Sequence, residues 1–201
     1  MPKSSLLTLD NCDHALAMTL PSIEHCMRSG PYNREAGQLI VLNPTRLYEP
    51  KYHDGPDNDA FKEEVVFWTH LFGSPEEWEH PFAEVALAKA YASFKYRLPA
   101  DVIVDQAPEL LEPGMTKYGG SAVCPISGLV VAFSGVQAHF DKQISQALLN
   151  ALKALCKGRM LEIAADPDVR FMPSPDEENE ANAERHEPER RGAWAGTSVS
   201  G

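Results

Sequence analysis

The stretch GGSAVCPISGLVVAFS, residues 119–134, decides the fold. It contains two short runs of small and β-branched residues, 119–124 and 129–134, with Pro125 and Gly128 between them. Short apolar runs on either side of a turn that contains proline and glycine are typical of paired antiparallel strands. We therefore predict an antiparallel hairpin at this point of the chain.

Two helical patterns flank the hairpin. Residues 141–157 form the clearer one, with an apolar stripe at helical spacing made by Ile144, Leu148, Leu152 and Leu155. Asp141 is expected to cap the start of this helix, and Gly158 to follow its end. A second helix is predicted for residues 81–97, because Pro81 suits a first helical position and Pro99 ends the pattern.

The segments further upstream add one strand and less regular patterns. Residues 38–42, QLIVL, predict a buried strand, and residues 16–28 predict a helix from Pro21 onward. Residues 61–72 fit a helical stripe and also have strand composition; Gly73 after them favours the helix. This order of elements predicts an α+β fold, with an antiparallel sheet flanked by helices.

The charge of the chain excludes some classes of partner. Of its 201 residues 29 are acidic and 18 basic, which gives a net charge of −11. Proteins that bind nucleic acid or anionic membranes need an excess of Lys and Arg, so neither is expected as a partner. The first residues lack the apolar run of a secretory signal, and we expect a cytoplasmic protein.

A change of composition near Asp166 divides the chain. Residues 166–201 contain 9 acidic and 4 basic side chains and few apolar ones, which is typical of a disordered acidic tail. Trp194 is the one residue there that could anchor it to a neighbouring subunit. We predict a single α+β domain in residues 1–165, with an insertion at about 46–79.

Several short elements, taken in order, resemble the GlcG/HbpS-like family of small haem-binding and corrinoid-associated proteins over about residues 80–157. They are Lys89-Ala90, 108–111, Gly119-Gly120, Gly128, 133–135 and Asp141. The resemblance implies a profilin- or PAS-like layered fold, a homo-oligomer (a dimer or a multiple of it), and haem or a corrinoid as ligand. The chain departs from the family where Ser121-Ala122 replace a proline, and where the 46–79 insertion replaces or rebuilds the family's first hairpin.

The candidate ligand-binding residues are His139, Lys89, Gly119, Gly120, Ser134 and Gly135. A neutral imidazole is a good iron or cobalt ligand, so His139 is the candidate axial ligand if haem or a corrinoid is bound. Lys89 could pair with a carboxylate or propionate, and the two glycines permit a tight turn or close approach of a ligand. Each also has an ordinary reading: a surface histidine, a solvated lysine and a turn.

Three functions are compatible with these residues. The first is a small-ligand-binding protein with haem or another tetrapyrrole as ligand. The second is an enzyme or accessory subunit that acts on a small organic metabolite in the same cleft, with His139 and Glu109 or Asp141 as acid and base. The third is a structural oligomerisation module. A catalytic cleft would bring two or more titratable groups within hydrogen-bond reach, whereas a tetrapyrrole pocket would be roomy and apolar.

The compositional change predicts that the tail is dispensable for folding. A chain that ends after Ala165 should melt within a few degrees of the full-length protein, because the removed segment has too few apolar side chains to add to the core. Thermal unfolding of the two proteins followed by circular dichroism measures this. A large loss of stability would mean that the tail docks on the folded part.

Overall fold

A computed structural model describes residues 6–29, 33–43, 49–168 and 172. Four strands, β1 (Gly37–Leu42), β2 (Val66–Phe72), β3 (Ser121–Val123) and β4 (Val130–Ser134), form one antiparallel sheet in the order β2-β1-β4-β3. The predicted hairpin is confirmed: β3 pairs with β4, and Ser121 lies opposite Ala132. Strand β1 lies in the middle of the sheet, between β2 and β4.

The helices lie on both faces of the sheet. They are α1 (Leu9–Arg28), α2 (Asp59–Glu64), α3 (Phe82–Tyr96), α4 (Ala100–Gln106) and α5 (Ala138–Ala165). Successive side chains of a strand point to opposite faces. Accordingly, Leu39 and Val41 of β1 join the core cluster with α1 and α5, whereas Ile40 and Leu42 join the cluster with α2 and α3. The predicted α+β fold with an antiparallel sheet flanked by helices is confirmed.

The prediction of one helix over residues 61–72 is wrong. Only α2 is helical there, and the chain then forms β2, which pairs with β1 so that Thr69 lies opposite Ile40. The β-branched and aromatic residues of this segment suit a strand, and pairing with β1 provides partners for its backbone groups. Strand β2, which lies within the predicted 46–79 insertion, is therefore an edge strand of the sheet.

Both long helices extend beyond their predicted bounds. Helix α1 begins at Leu9 and contains Pro21, and the Thr8 side chain caps its start by accepting from the Asn11 amide at 3.1 Å. Helix α5 begins three residues before Asp141 and continues past Gly158 to Ala165. A single glycine costs a helix only about 1 kcal/mol, so Gly158 does not end this one. The α3 helix matches its prediction to within a residue at each end.

The aromatic side chains of β2 pack inside the chain. Trp68 of β2 is buried, and Phe67 and Phe72 are partly buried against the same core cluster, so these aromatic side chains do not support the predicted homo-oligomer. The homo-oligomer therefore rests on the family resemblance alone.

The predicted tail lies outside the described residues except for 166–168 and 172. Within the described ranges, no helix combines the length and apolarity needed to cross a bilayer.

Candidate ligand-binding site

A buried ion pair joins α3 to α5. Lys89 is only 1 % exposed and Asp141 only 3 %, and the Lys89 Nζ donates to Asp141 Oδ2 at 2.7 Å. The same Nζ donates to the backbone carbonyl of Phe133 at 3.0 Å. Charges in a protein interior persist only when they are paired and hydrogen-bonded, and both conditions are met here.

The local structure at the start of α5 holds the carboxylate in place. Asp141 lies in the first turn of the helix, and its Oδ1 accepts from the Val136 amide, just before the helix, at 3.0 Å. The negative charge therefore lies near unpaired amides at a helix N-terminus, where the helix dipole favours an anion. The prediction that Asp141 caps the start of this helix is wrong, because the N-cap is Gln137; the Asp141 carboxylate instead reaches back from the first turn to the segment before the helix.

Gly120 allows the chain to pass against the ion pair. Its φ is +119°, and a Cβ at this position would lie 2.5 Å from the Asp141 Cβ and 3.0 Å from the Lys89 Nζ. Its carbonyl accepts from the Ser145 hydroxyl at 2.8 Å. A larger residue would therefore need a strained backbone and would also displace the pair. This is a close-approach role for the second glycine of the predicted glycine pair.

Burial shifts the pKa of each charged group in one direction, and pairing shifts it in the other. Burial is the largest effect in each case: it lowers the pKa of the Lys89 ammonium and raises the pKa of the Asp141 carboxyl. The opposite charge of the partner counteracts burial for both groups, and backbone amides help to keep Asp141 ionised.

The ion pair forms part of the wall of a cavity of about 470 Å³. The lining residues with polar side chains are Arg34, His80, Lys89, Tyr118, Ser134, Gln137 and Asp141. Apolar lining comes from Phe82 and Val85 of α3 and from Val136 before α5. The volume lies within the range of small-molecule sites, and the mixed lining is typical of them.

The cavity has an inner and an outer end. Lys89 and Asp141 are buried and form the inner end, whereas His80 is exposed and Arg34 half-buried at the outer end. The Arg34 Nη2 lies 3.3 Å from the His80 Nε2, and its guanidinium lies 5.6 Å from the centre of the Phe82 ring. The outer end therefore carries a cation beside an aromatic ring and an imidazole.

The predicted site residues are brought together only in part. Lys89 and Ser134 line the cavity, and Gly120 lies against its inner end. Gly119 packs on Asp101 of α4, and Gly135 is buried against Phe133 and the Ala36 carbonyl. None of these three glycines is among the lining residues.

His139 is exposed in the first turn of α5 and is not among the residues that line the cavity. Its ring lies against that of Phe140, and its role as an axial ligand stays a prediction. Three residues were considered for acid and base catalysis: His139, Glu109 and Asp141. Only Asp141 lines the cavity, whereas Glu109, like His139, is exposed and is not a lining residue.

Arg34 and His80 are two of the lining residues that were not predicted from the sequence. Arg34 lies in an irregular segment before β1, which carries no motif. His80 precedes Pro81, where α3 was predicted to begin, and this position next to a helix start was the available signal. Within the described ranges, no three histidine, cysteine or acidic side chains are grouped so that they could hold a metal ion.

No protein-family model matches this chain. No curated protein matches it either. Among solved structures, a double mutant of HbpS from Streptomyces reticuli is similar, with a TM-score of 0.46 and 17 % sequence identity, over 76 % of this chain and 90 % of that chain. That protein bears the name of the family that the sequence motifs resemble, and the likeness is distant. Membership of the family stays a prediction.

The ion pair predicts a large coupling between its two residues. Lys89→Met and Asp141→Asn should each reduce the free energy of unfolding by about 3–5 kcal/mol, because each leaves a buried charge without its partner. The double variant should lose clearly less than the sum of the two losses. Urea denaturation of the four proteins measures the coupling.

The surface pair of Lys142 and Asp101 is the matched control, since the Lys142 side chain is 46 % exposed. Lys142→Met should cost less than about 1 kcal/mol. Additive losses for Lys89 and Asp141 would contradict a strong buried interaction.

Proposed function

We propose that this protein binds a small organic acid in the cavity between α3 and the start of α5. The observation that supports this best is that Lys89, a buried lysine, is one of the residues that line the cavity. A lysine ammonium has three N–H donors, and the described residues provide acceptors for two of them, Asp141 and Phe133. The remaining donor is suited to an oxygen atom of a ligand.

The rest of the lining suits such a molecule. Phe82, Val85 and Val136 provide apolar contact, and Arg34 provides a positive charge at the outer end. The basic lining residues Arg34 and Lys89 outnumber the acidic one, Asp141, in a chain with a net charge of −11. A local excess of positive charge in an acidic protein favours an anionic ligand at that place.

The proposal is tested by measuring ligand binding to the wild type and to a variant whose cavity is filled. Native mass spectrometry of the purified protein would detect a retained ligand, and thermal shifts with a panel of organic acids would detect others. An acid at about 100 times its Kd should stabilise the wild type by about 2.7 kcal/mol, which raises the Tm by about 5–11 °C.

Val85→Trp should abolish this shift by filling the cavity. Glu84→Trp is the control, because Glu84 is exposed on the same helix and is not a lining residue. Equal shifts in both variants would place the ligand elsewhere, and the absence of any ligand for the wild type would reject the proposal.

A tetrapyrrole is the second candidate ligand, and His80 favours it. His80 is the histidine among the lining residues, and an imidazole is a common axial ligand of haem iron. The propionates would lie near Arg34, and the apolar residues would contact the macrocycle. Bound haem would supply ligand-binding or redox chemistry at its iron, for which the chain provides the pocket.

Two histidine variants decide between the candidate axial ligands. If haemin binds in the cavity, His80→Ala should weaken its binding at least tenfold and shift the Soret band, because the bond between imidazole and iron is lost. His139→Ala should behave like the wild type if His80 is the ligand, and should show the loss instead if the sequence-based prediction of His139 is correct. If both variants match the wild type, neither imidazole is the ligand.

The remaining expectations from the sequence belong to the same proposal. We propose a homo-oligomer, with the family resemblance as its support; a cytoplasmic location stays a prediction from the sequence. The enzyme alternative uses the same cavity, in which the titratable groups Lys89 and Asp141 lie within hydrogen-bond reach.

A further inference from the structure

Lys89 carries a primary amine at the buried end of the cavity. Its Nζ lies between two elements that also supply lining residues. At the end of β4 the Phe133 carbonyl accepts from it at 3.0 Å, and at the start of α5 Asp141 Oδ2 accepts at 2.7 Å. Lys89, Asp141 and Ser134, the residue after Phe133, all line the cavity. A nitrogen nucleophile and a group that can accept its proton therefore lie together.

Backbone closes the other side of the amine. A Cβ on Gly120 would lie 3.0 Å from the Lys89 Nζ, so a ligand has no room to approach from that direction. The Lys89 residue is only 1 % exposed, and it is one of the residues that line the cavity. The cavity is therefore the route by which a small molecule would reach this amine.

The ion pair allows the amine to lose its proton without water. A protonated amine cannot attack a carbonyl carbon, so a lysine nucleophile needs a group that takes its proton. The Asp141 carboxylate is hydrogen-bonded to the ammonium and can take that proton directly. Burial lowers the pKa of Lys89 and raises the pKa of Asp141. Both shifts bring the uncharged pair of amine and carboxylic acid closer in free energy to the ion pair than in water.

We propose that Lys89 captures the carbonyl group of a small oxo acid as a protonated imine, with Asp141 as the proton acceptor. The ligand class is an aldehyde or a ketone that also carries a carboxylate. This inference rests on the proposed function, and it adds the group of the ligand that reacts and the residue that reacts with it.

The proposed reaction balances without a further reactant. Asp141 takes one proton from the Lys89 ammonium, and the neutral amine forms a C–N bond to the carbonyl carbon. The C–O bond then breaks, and the oxygen leaves as water with two of the three ammonium protons, one of which Asp141 returns. The product is an iminium group that keeps the positive charge and one N–H, so it can still donate to the Asp141 carboxylate.

Reductive trapping in the full-length wild type tests the inference. Cyanoborohydride reduces an imine to a stable secondary amine, and peptide mass spectrometry then shows which lysines carry the added group. The probes are three oxo acids of increasing size: glyoxylate, pyruvate and 4-carboxybenzaldehyde. At least one of them should label Lys89 about tenfold faster than Lys142, because only Lys89 has a neighbouring proton acceptor inside a cavity.

Lys142 is the matched reference lysine in the same protein. It is also paired with a carboxylate, that of Asp101, but its side chain is 46 % exposed, whereas the Lys89 side chain is 1 % exposed. Labelling that follows exposure alone would favour Lys142. That order for all three probes would overturn the inference, and this result needs no variant to fold.

Two tryptophan variants test whether the labelling of Lys89 depends on the cavity, and both leave the ion pair in place. Val85→Trp should slow the labelling of Lys89 at least tenfold and leave that of Lys142 unchanged, because it fills the cavity. Glu84→Trp should match the wild type at both lysines, since Glu84 is exposed and is not a lining residue. Equal labelling of Lys89 in the two variants would overturn the reaction in the cavity.

The failures of the two proposals are distinguishable. If organic acids raise the Tm of the wild type but not of Val85→Trp, and no probe labels Lys89 faster than Lys142, the imine is overturned and the proposed function stands. If no organic acid raises the Tm and no probe labels Lys89, both fail.

Discussion

A lysine ammonium inside the protein is the constraint on which the arrangement of this site depends. An unpaired charge in the interior costs several kcal/mol, so the fold must bring Lys89 an anion and further acceptors. It does so from two places, the carboxylate of Asp141 at the start of α5 and the carbonyl of Phe133 in β4. Helix α3, the end of β4 and the start of α5 are therefore held in one relative position.

The same constraint determines what can lie beside the pair. Backbone passes so close to both charged side chains that only a glycine fits at position 120. The Ser145 hydroxyl then bonds the Gly120 carbonyl, which ties the segment before β3 to α5. The buried charge of Lys89 thus accounts for three residues that are far apart in the sequence, namely Gly120, Asp141 and Ser145.

Local patterns allowed much of the fold to be predicted. The hairpin, β1 and α3 follow from the spacing of their own apolar residues and turns, and all three are present. The segment over 61–72 has residues that suit both a helix and a strand, and the open edge of β1 decides between them. That edge is a product of the tertiary structure, so no window of sequence contains the information.

The site was less predictable, for the same physical reason. The sequence left two readings of Lys89 open, a solvated side chain or a pair with a carboxylate or propionate, and it predicted Asp141 as a helix cap. The two residues are 52 positions apart, and no local spacing connects their roles. His139 was the candidate axial ligand, but α5 begins before it, its side chain is exposed, and it is not a lining residue. The lining histidine is instead His80, at the start of α3.

The inner and outer ends of the cavity differ in how strongly folding restricts their residues. The ion pair at the inner end is also a structural contact. The fold therefore orients the Lys89 ammonium before any ligand binds, which would reduce the entropy cost of ordering this side chain on binding. The outer end consists of Arg34 and His80 at the surface, where side-chain changes have small effects on folding. If the proposed ligand binds in this cavity, sequence changes at the outer end would alter which ligand is bound without a loss of stability, whereas the inner end would be restricted by folding and binding at once.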